Sequence, residues 1–215
     1  MPLTLNELYT QTKNQYHLSM IAGEAGIDHI MNWVYVSEDS STHDFLKGGE
    51  LIITTGINCQ DEASLYDFIE TMIKSHTCGI ILNTGKYILS EHITDSIRTL
   101  CDKHNYPLIE MPWQVHIYDI TRDYYNRIFM DTQKDTSITD AFLSFIEEDS
   151  LHHYDALRIL EDNHFEKEDC YEIALIKCNK KVISDDLKLR LLFLMESYIK
   201  LNDLDIHIAF YKNHF

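Results

Sequence analysis

Positive charge is what this 215-residue chain lacks most: 18 Lys and Arg stand against 35 Asp and Glu, a formal net charge of −17. Nucleic acid binding takes most of its affinity from cations that neutralise phosphates. Direct contact with nucleic acid is therefore not expected of this chain, nor is docking on an anionic membrane. No apolar run approaches the roughly 18 residues of a membrane helix. The start, Met1-Pro2-Leu3-Thr4-Leu5, has neither the basic region nor the apolar core of a signal peptide. No C-x-x-C occurs. Cys59, Cys78, Cys101, Cys170 and Cys178 are odd in number and widely spaced, so free thiols in a reducing cytoplasm are expected rather than a disulfide framework. None of the seven glycines lies beyond Gly85, which confines tight-turn architecture to the first part of the chain and leaves the rest mostly helical.

Catalytic constellations are also missing. There is no G-x-S-x-G, Walker loop or G-x-G-x-x-G. Gly23-Glu24-Ala25-Gly26 is too short for a dinucleotide loop and reads as a tight turn. No H-x-x-x-H or H-E-x-x-H appears, and adjacent His152 and His153 would point about 100° apart on a helix. Cys101 and His104 lie three apart on a predicted helix, but Cys101 falls on its apolar face, which favours a buried thiol over a nucleophile. No enzymatic activity, cofactor or metal is expected.

What is present is an alternation of strands and helices. Thr4, with Glu7 three residues on, caps a short helix Leu5–Thr12. His17–Ala22 and Asn32–Val36 read as strands, with a helical turn at Thr42–Lys47. Glu50–Gly56 and Cys78–Gly85 carry short apolar runs, each stopped by glycine, and read as strands buried on both faces. Between them Glu62–His76 is helical, with Leu65, Phe68, Ile69, Met72 and Ile73 on one face. Ser90 is expected to cap a helix to about Asn105, Pro107–Met111 is another strand, and Ile117 to about Gln133 another helix. The fold class is α/β, a mixed or parallel sheet built from βαβ units. Beyond it, helices are expected from Thr136 or Ser137, from Ser150, and from Ser184 or Asp185 to Leu201. Tyr171–Lys177 and Asp205–Tyr211 read as strands. That last β-α-β piece is small for an independent core, so the chain is expected to end inside a domain.

Open α/β sheets bind ligands at the carboxyl ends of their strands. Here those ends carry Ser37 and Glu38, then Thr54, Thr55 and Gly56, then Asn83 and Thr84, with Glu110 near the last. Together they offer hydroxyls, an amide, carboxylates and backbone N–H groups, which suit a small polar effector. The helices at 117–162 carry broad aromatic faces, among them Tyr118, Tyr124, Tyr125 and Phe129, which pack on their own domain or pair two copies.

Several ordered segments resemble one family. They are Thr4-Leu5-Asn6-Glu7-Leu8, Ile21-Ala22-Gly23-Glu24-Ala25-Gly26-Ile27-Asp28, Val34-Tyr35-Val36-Ser37-Glu38, Phe45 through Gly56 (FLKGGELIITTG), and Tyr106-Pro107-Leu108-Ile109-Glu110-Met111-Pro112. From about residue 4 to 130 the chain resembles the N-terminal domain of PucR-type (purine catabolism regulator-like) bacterial transcription factors. The AGEAG turn has a fainter similarity to the N-terminal domain of the HPr kinase/phosphorylase family. The resemblance implies a sensor domain at 1–130, a helical linker at 131–165 and the start of a GGDEF-like middle domain at 166–215. It implies a signal-input fragment that binds a partner or a small effector, a purine-related metabolite by the family's name, and whose DNA-binding helix-turn-helix lies outside this chain; the free thiols add a cytoplasmic location and the aromatic helix faces a homodimer. A ligand-free oligomerisation module is the alternative.

Overall fold

The structure, a computed structural model, describes residues 3–59, 61–146, 153–166, 171–172, 185–202, 204 and 206–208. It divides into two compact units, Pro2–Phe129 and Met130–Phe215.

The first unit is a five-stranded sheet between two helical layers. Its elements in order are α1 (Leu5–Thr12), β1 (Ser19–Ala22), β2 (Trp33–Val36), β3 (Glu50–Thr54), α2 (Glu62–Lys74), β4 (Gly79–Thr84), α3 (Asp95–Lys103), β5 (Leu108–Pro112) and the start of α4 (Ile117–Ile146). The sheet runs β1-β5-β4-β3-β2. Four strands are parallel, and β1 joins β5 antiparallel. Every residue of β3 and β4 is buried, so these central strands read as apolar runs rather than alternating ones.

Side-chain alternation divides the core in two. Ile52, Ile80, Leu82 and Leu108 meet Leu65, Phe68, Ile69 and Met72 of α2, and Ile97, Leu100 and Cys101 of α3. Leu51, Ile53, Ile81 and Ile109 meet Leu5 and Leu8 of α1, and Ile120, Tyr124 and Ile128 of α4. Both open edges of the sheet are sealed by tyrosine hydroxyls. The Tyr9 hydroxyl accepts from the Met20 amide of β1 (3.1 Å), and Tyr125 donates to the Val34 carbonyl of β2 (2.8 Å). Such caps remove groups that would otherwise template strand pairing.

The Gly23–Gly26 turn is structural. A side chain on Gly23 would lie 1.9 Å from the Tyr106 carbonyl oxygen, and the Gly23 amide donates to Asp102 (2.6 Å). Cys59, Cys78 and Cys101 are buried free thiols. Burial, with the Asp102 charge adding to it, pushes the Cys101 thiol up to about 12. A thiol so placed is protonated at neutral pH, as a buried structural cysteine is.

Two helix expectations are corrected. Ser90 starts a short 3-10 turn, Ser90–His92, and α3 begins only at Asp95, because the chain first buries Ile88 and Ile93. Neither Thr136 nor Ser137 is a cap. Their hydroxyls donate to the Thr132 and Gln133 carbonyls one turn back, and α4 runs unbroken through both.

In the second unit, α5 (His153–Asp162) lies after α4, and α6 (Asp185–Leu201) follows. Ile138 and Ala141 of α4 pack with Ala156 and Leu160 of α5. The predicted cap Ser150 lies outside the described residues, as does most of Tyr171–Lys177. Of Asp205–Tyr211, the residues Ile206, His207 and Ile208 are described and belong to no strand.

Candidate functional site

The carboxyl ends of β2, β3, β4 and β5 lie along one rim, since all four strands are parallel. Neighbouring strands stand about 4.8 Å apart, so adjacent tips are within reach of one another.

Glu38 is the hub at the first two tips. Its Oε2 accepts from Thr54 Oγ1 (2.9 Å) and the Gly56 amide (3.0 Å), and its Oε1 from the Thr55 amide (2.9 Å). Thr54 Oγ1 also accepts from the Gly56 amide at 3.0 Å. Ser37 turns away from this cluster: its hydroxyl meets Thr42 Oγ1 (2.7 Å) and the Asp39 carbonyl (3.1 Å).

A second cluster forms where β4 meets β5. Glu110 Oε1 accepts from Thr84 Oγ1 (2.7 Å) and Ser90 Oγ (3.3 Å). Among the described residues nothing donates to Glu110 Oε2. Asn83 points to the opposite face of the sheet, where its amide donates to the Pro112 carbonyl (3.0 Å) and holds the turn before α4.

The strap 85–93 lies over both clusters. The Gly85 amide donates to the Ile88 carbonyl (2.7 Å), and Ile88 is fully buried. Ile88 occupies the place where a side chain on Gly56 would be: a Cβ there would stand 2.1 Å from Ile88 Cδ1. Within the strap, the Lys86 ammonium sits 4.8 Å from the Tyr87 ring centroid and 4.6 Å from that of Trp113. The rim therefore consists of polar groups that satisfy one another under an apolar plug. The topology accounts for this closure. A ligand crevice opens where strand order reverses, and β2-β3-β4-β5 follow one another across the sheet without reversal.

The opposite end of β3 carries a clamp that the sequence did not single out. The buried Glu50 carboxylate accepts from the Lys47 amide (2.7 Å) and the Gly48 amide (2.9 Å). Glu38 and Glu50 thus fix the two ends of one central strand. The field at the rim is acidic: Cys59 is pushed up to about 11, by burial first and then by Glu38, Asp39 and Asp61.

Two surface hollows lie away from the rim. A shallow one of about 450 Å³ between α2 and α3 is lined by Tyr66, Asp95, Ser96, Thr99, Leu100 and Lys103. A neighbouring one adds Glu62 and Asp67. Neither was signalled in the sequence, because these residues read as the solvated faces of two amphipathic helices. Among the described residues no set of His, Cys, Asp and Glu is placed to hold a metal ion, and no helix is long and apolar enough to cross a membrane.

Comparison with known proteins matches residues 7–128 to the purine catabolism regulatory protein-like family. That stretch covers nearly all of the sheet unit. The purine catabolism regulatory protein of Bacillus subtilis (strain 168) is 31% identical over 103 residues, which make up 47% of this chain and 19% of that protein.

Proposed function

The chain belongs to the purine catabolism regulatory protein-like family, and on that premise we propose that it is the signal-input part of a bacterial transcriptional regulator rather than an enzyme. The observation that carries the reading is the coincidence of the family match with the compact sheet unit. A small effector binds at the strand tips, and α4 transmits the change to the rest of the protein. The matched residues make up 19% of the Bacillus relative, so what that whole protein does enters here only as part of the proposal. A cytoplasmic location follows from that role.

The rim chemistry constrains the effector. Glu38 and Glu110 are acceptors, and Glu110 Oε2 still has room for a donor. An effector rich in N–H groups suits it, as purine-degradation intermediates are. Access requires the strap 85–93 to lift, because Ile88 fills the space between the two clusters.

The same closure favours a second reading, in which the unit is a ligand-free oligomerisation module. Thermal-shift screening of the whole chain against purine catabolites separates the two. The effector reading expects at least one compound to raise Tm, with Glu110→Gln losing that rise. An equal rise in Glu110→Gln removes the rim from the account, and silence across the panel favours the module.

A further inference from the structure

Lys86 is a cation that pairs with rings rather than with acids. The chain holds 35 Asp and Glu against 18 Lys and Arg, yet among the described residues no carboxylate lies within ion-pair distance of its ammonium. The ammonium rests over two aromatic rings at once, 4.8 Å from the centroid of Tyr87 and 4.6 Å from that of Trp113. The rings stand at 88° to one another with centroids 5.6 Å apart, so they make two walls of a corner. The face of an aromatic ring is the negative end of its quadrupole, and here two faces attract the same positive charge.

The backbone fixes this corner. Gly85, at φ +110°, turns the chain out of β4, and its amide closes the turn on the Ile88 carbonyl (2.7 Å). That places Tyr87 next to the buried Ile88. The Trp113 amide donates to the Thr84 carbonyl (2.7 Å), and Trp113 Cβ lies 3.5 Å from where a side chain on Gly85 would begin. Tyr87 and Trp113 are half-buried, whereas Lys86 is exposed. The walls are pinned, and their occupant is held only through its own flexible stem.

We propose that the Tyr87–Trp113 corner is a binding site for a small alkylated ammonium ion, with Lys86 as its built-in competitor. Lys86 already displays the charge and the position that such a ligand takes. A lysine ammonium is compact and strongly hydrated. An ammonium that carries methyl groups gives up less hydration against the rings and adds apolar contact, so it displaces Lys86. The net charge of −17 raises the local concentration of cations at the surface. The site needs neither the rim carboxylates nor the lifting of Ile88, and it goes beyond the signal-input reading.

NMR titration of the ¹⁵N-labelled full chain tests it through the indole N–H signals of its two tryptophans, Trp33 and Trp113, told apart by Trp33→Phe. The titrants are choline and its neutral isostere 3,3-dimethylbutan-1-ol, at constant ionic strength. Choline is expected to move the Trp113 signal saturably, and the alcohol to bind about fivefold more weakly. Lys86→Ala vacates the corner and should tighten choline binding about threefold. Tyr87→Leu keeps apolar bulk but removes one wall, and should weaken it about fivefold. A Trp113 signal that choline leaves in place in both the parent and Lys86→Ala overturns the proposal. So does equal binding of the alcohol, unchanged or weaker choline binding in Lys86→Ala, or choline binding that survives Tyr87→Leu. The comparison of choline with the alcohol uses the parent chain, so it decides the matter even if Tyr87→Leu does not fold. Effector binding at the rim is read by Tm and by Glu110→Gln, so the two claims fail separately.

Discussion

Glu38 uses both carboxylate oxygens on the tip of β3. Truncating it takes the acceptor from the Thr55 amide and the Thr54 hydroxyl in a partly buried place and leaves the Gly56 amide with Thr54 Oγ1 alone. Glu38→Ala is expected to cost about 2 kcal/mol in urea denaturation, well above an ordinary surface change. Gly56 is the companion case. Its φ of +68° and the Ile88 contact both resist a side chain, so Gly56→Ala should destabilise by about 2 kcal/mol. In the double variant with Ile88→Ala, the cost should be less than the sum of the two single changes, because one clash is relieved. Strict additivity would show that Ile88 does not occupy that space. The sequence names Glu38, Thr54, Thr55 and Gly56 as neighbours at strand tips, and they are. It does not reveal that they bond to one another, since that depends on register and on which way a loop carboxylate turns. Ser37 and Asn83 show the same limit: tip residues by position, they bond to a local turn and to the opposite face.

At the scale of elements, apolar content made the central strands legible. β3 and β4 are covered on both faces, so their runs are continuous and their glycine stops are clear. The strap 85–93 was not legible. Its Ile88 and Ile93 mimic helix periodicity but act as a plug and its anchor, and this displaced the expected start of α3. The Thr4 cap was readable because the Thr-x-x-Glu spacing is itself the bonding pattern: the Thr4 amide donates to Glu7 (2.7 Å) and the Glu7 amide to Thr4 Oγ1 (3.2 Å). Thr4→Ala should cost about 1 kcal/mol by chemical denaturation. α6 supplies a pH test. Glu196 is pushed up to about 7 by burial, with Asp135 and Asp131 adding to it. Its folded pKa thus lies above its unfolded one, and the folded state holds the proton more tightly. Its contribution is therefore full below the ordinary carboxylate range and is lost as pH rises through about 7. The second unit should melt higher at pH 5 than at pH 8, and Glu196→Gln should flatten that difference. An unchanged slope in the variant would assign the pH dependence to other groups.

For the molecule as a whole, the family match, the sheet core and the rim all fall within Pro2–Phe129. A fold whose strands succeed one another without reversal offers no ready-made crevice, so sensing at its rim has to work by displacement. Effector binding and strap movement are then one event, and α4, which packs on the same sheet through Ile120, Tyr124 and Ile128, is placed to feel it. The direct measurement is an amide NMR titration of the ¹⁵N-labelled chain with the compound that raises Tm most. The account predicts that the largest shifts fall on Thr54–Gly56 and on Thr84–Ser90, with Ile88 losing its protection from solvent. Shifts confined to α2 and α3 around Tyr66 and Thr99, with the strap unmoved, would contradict it.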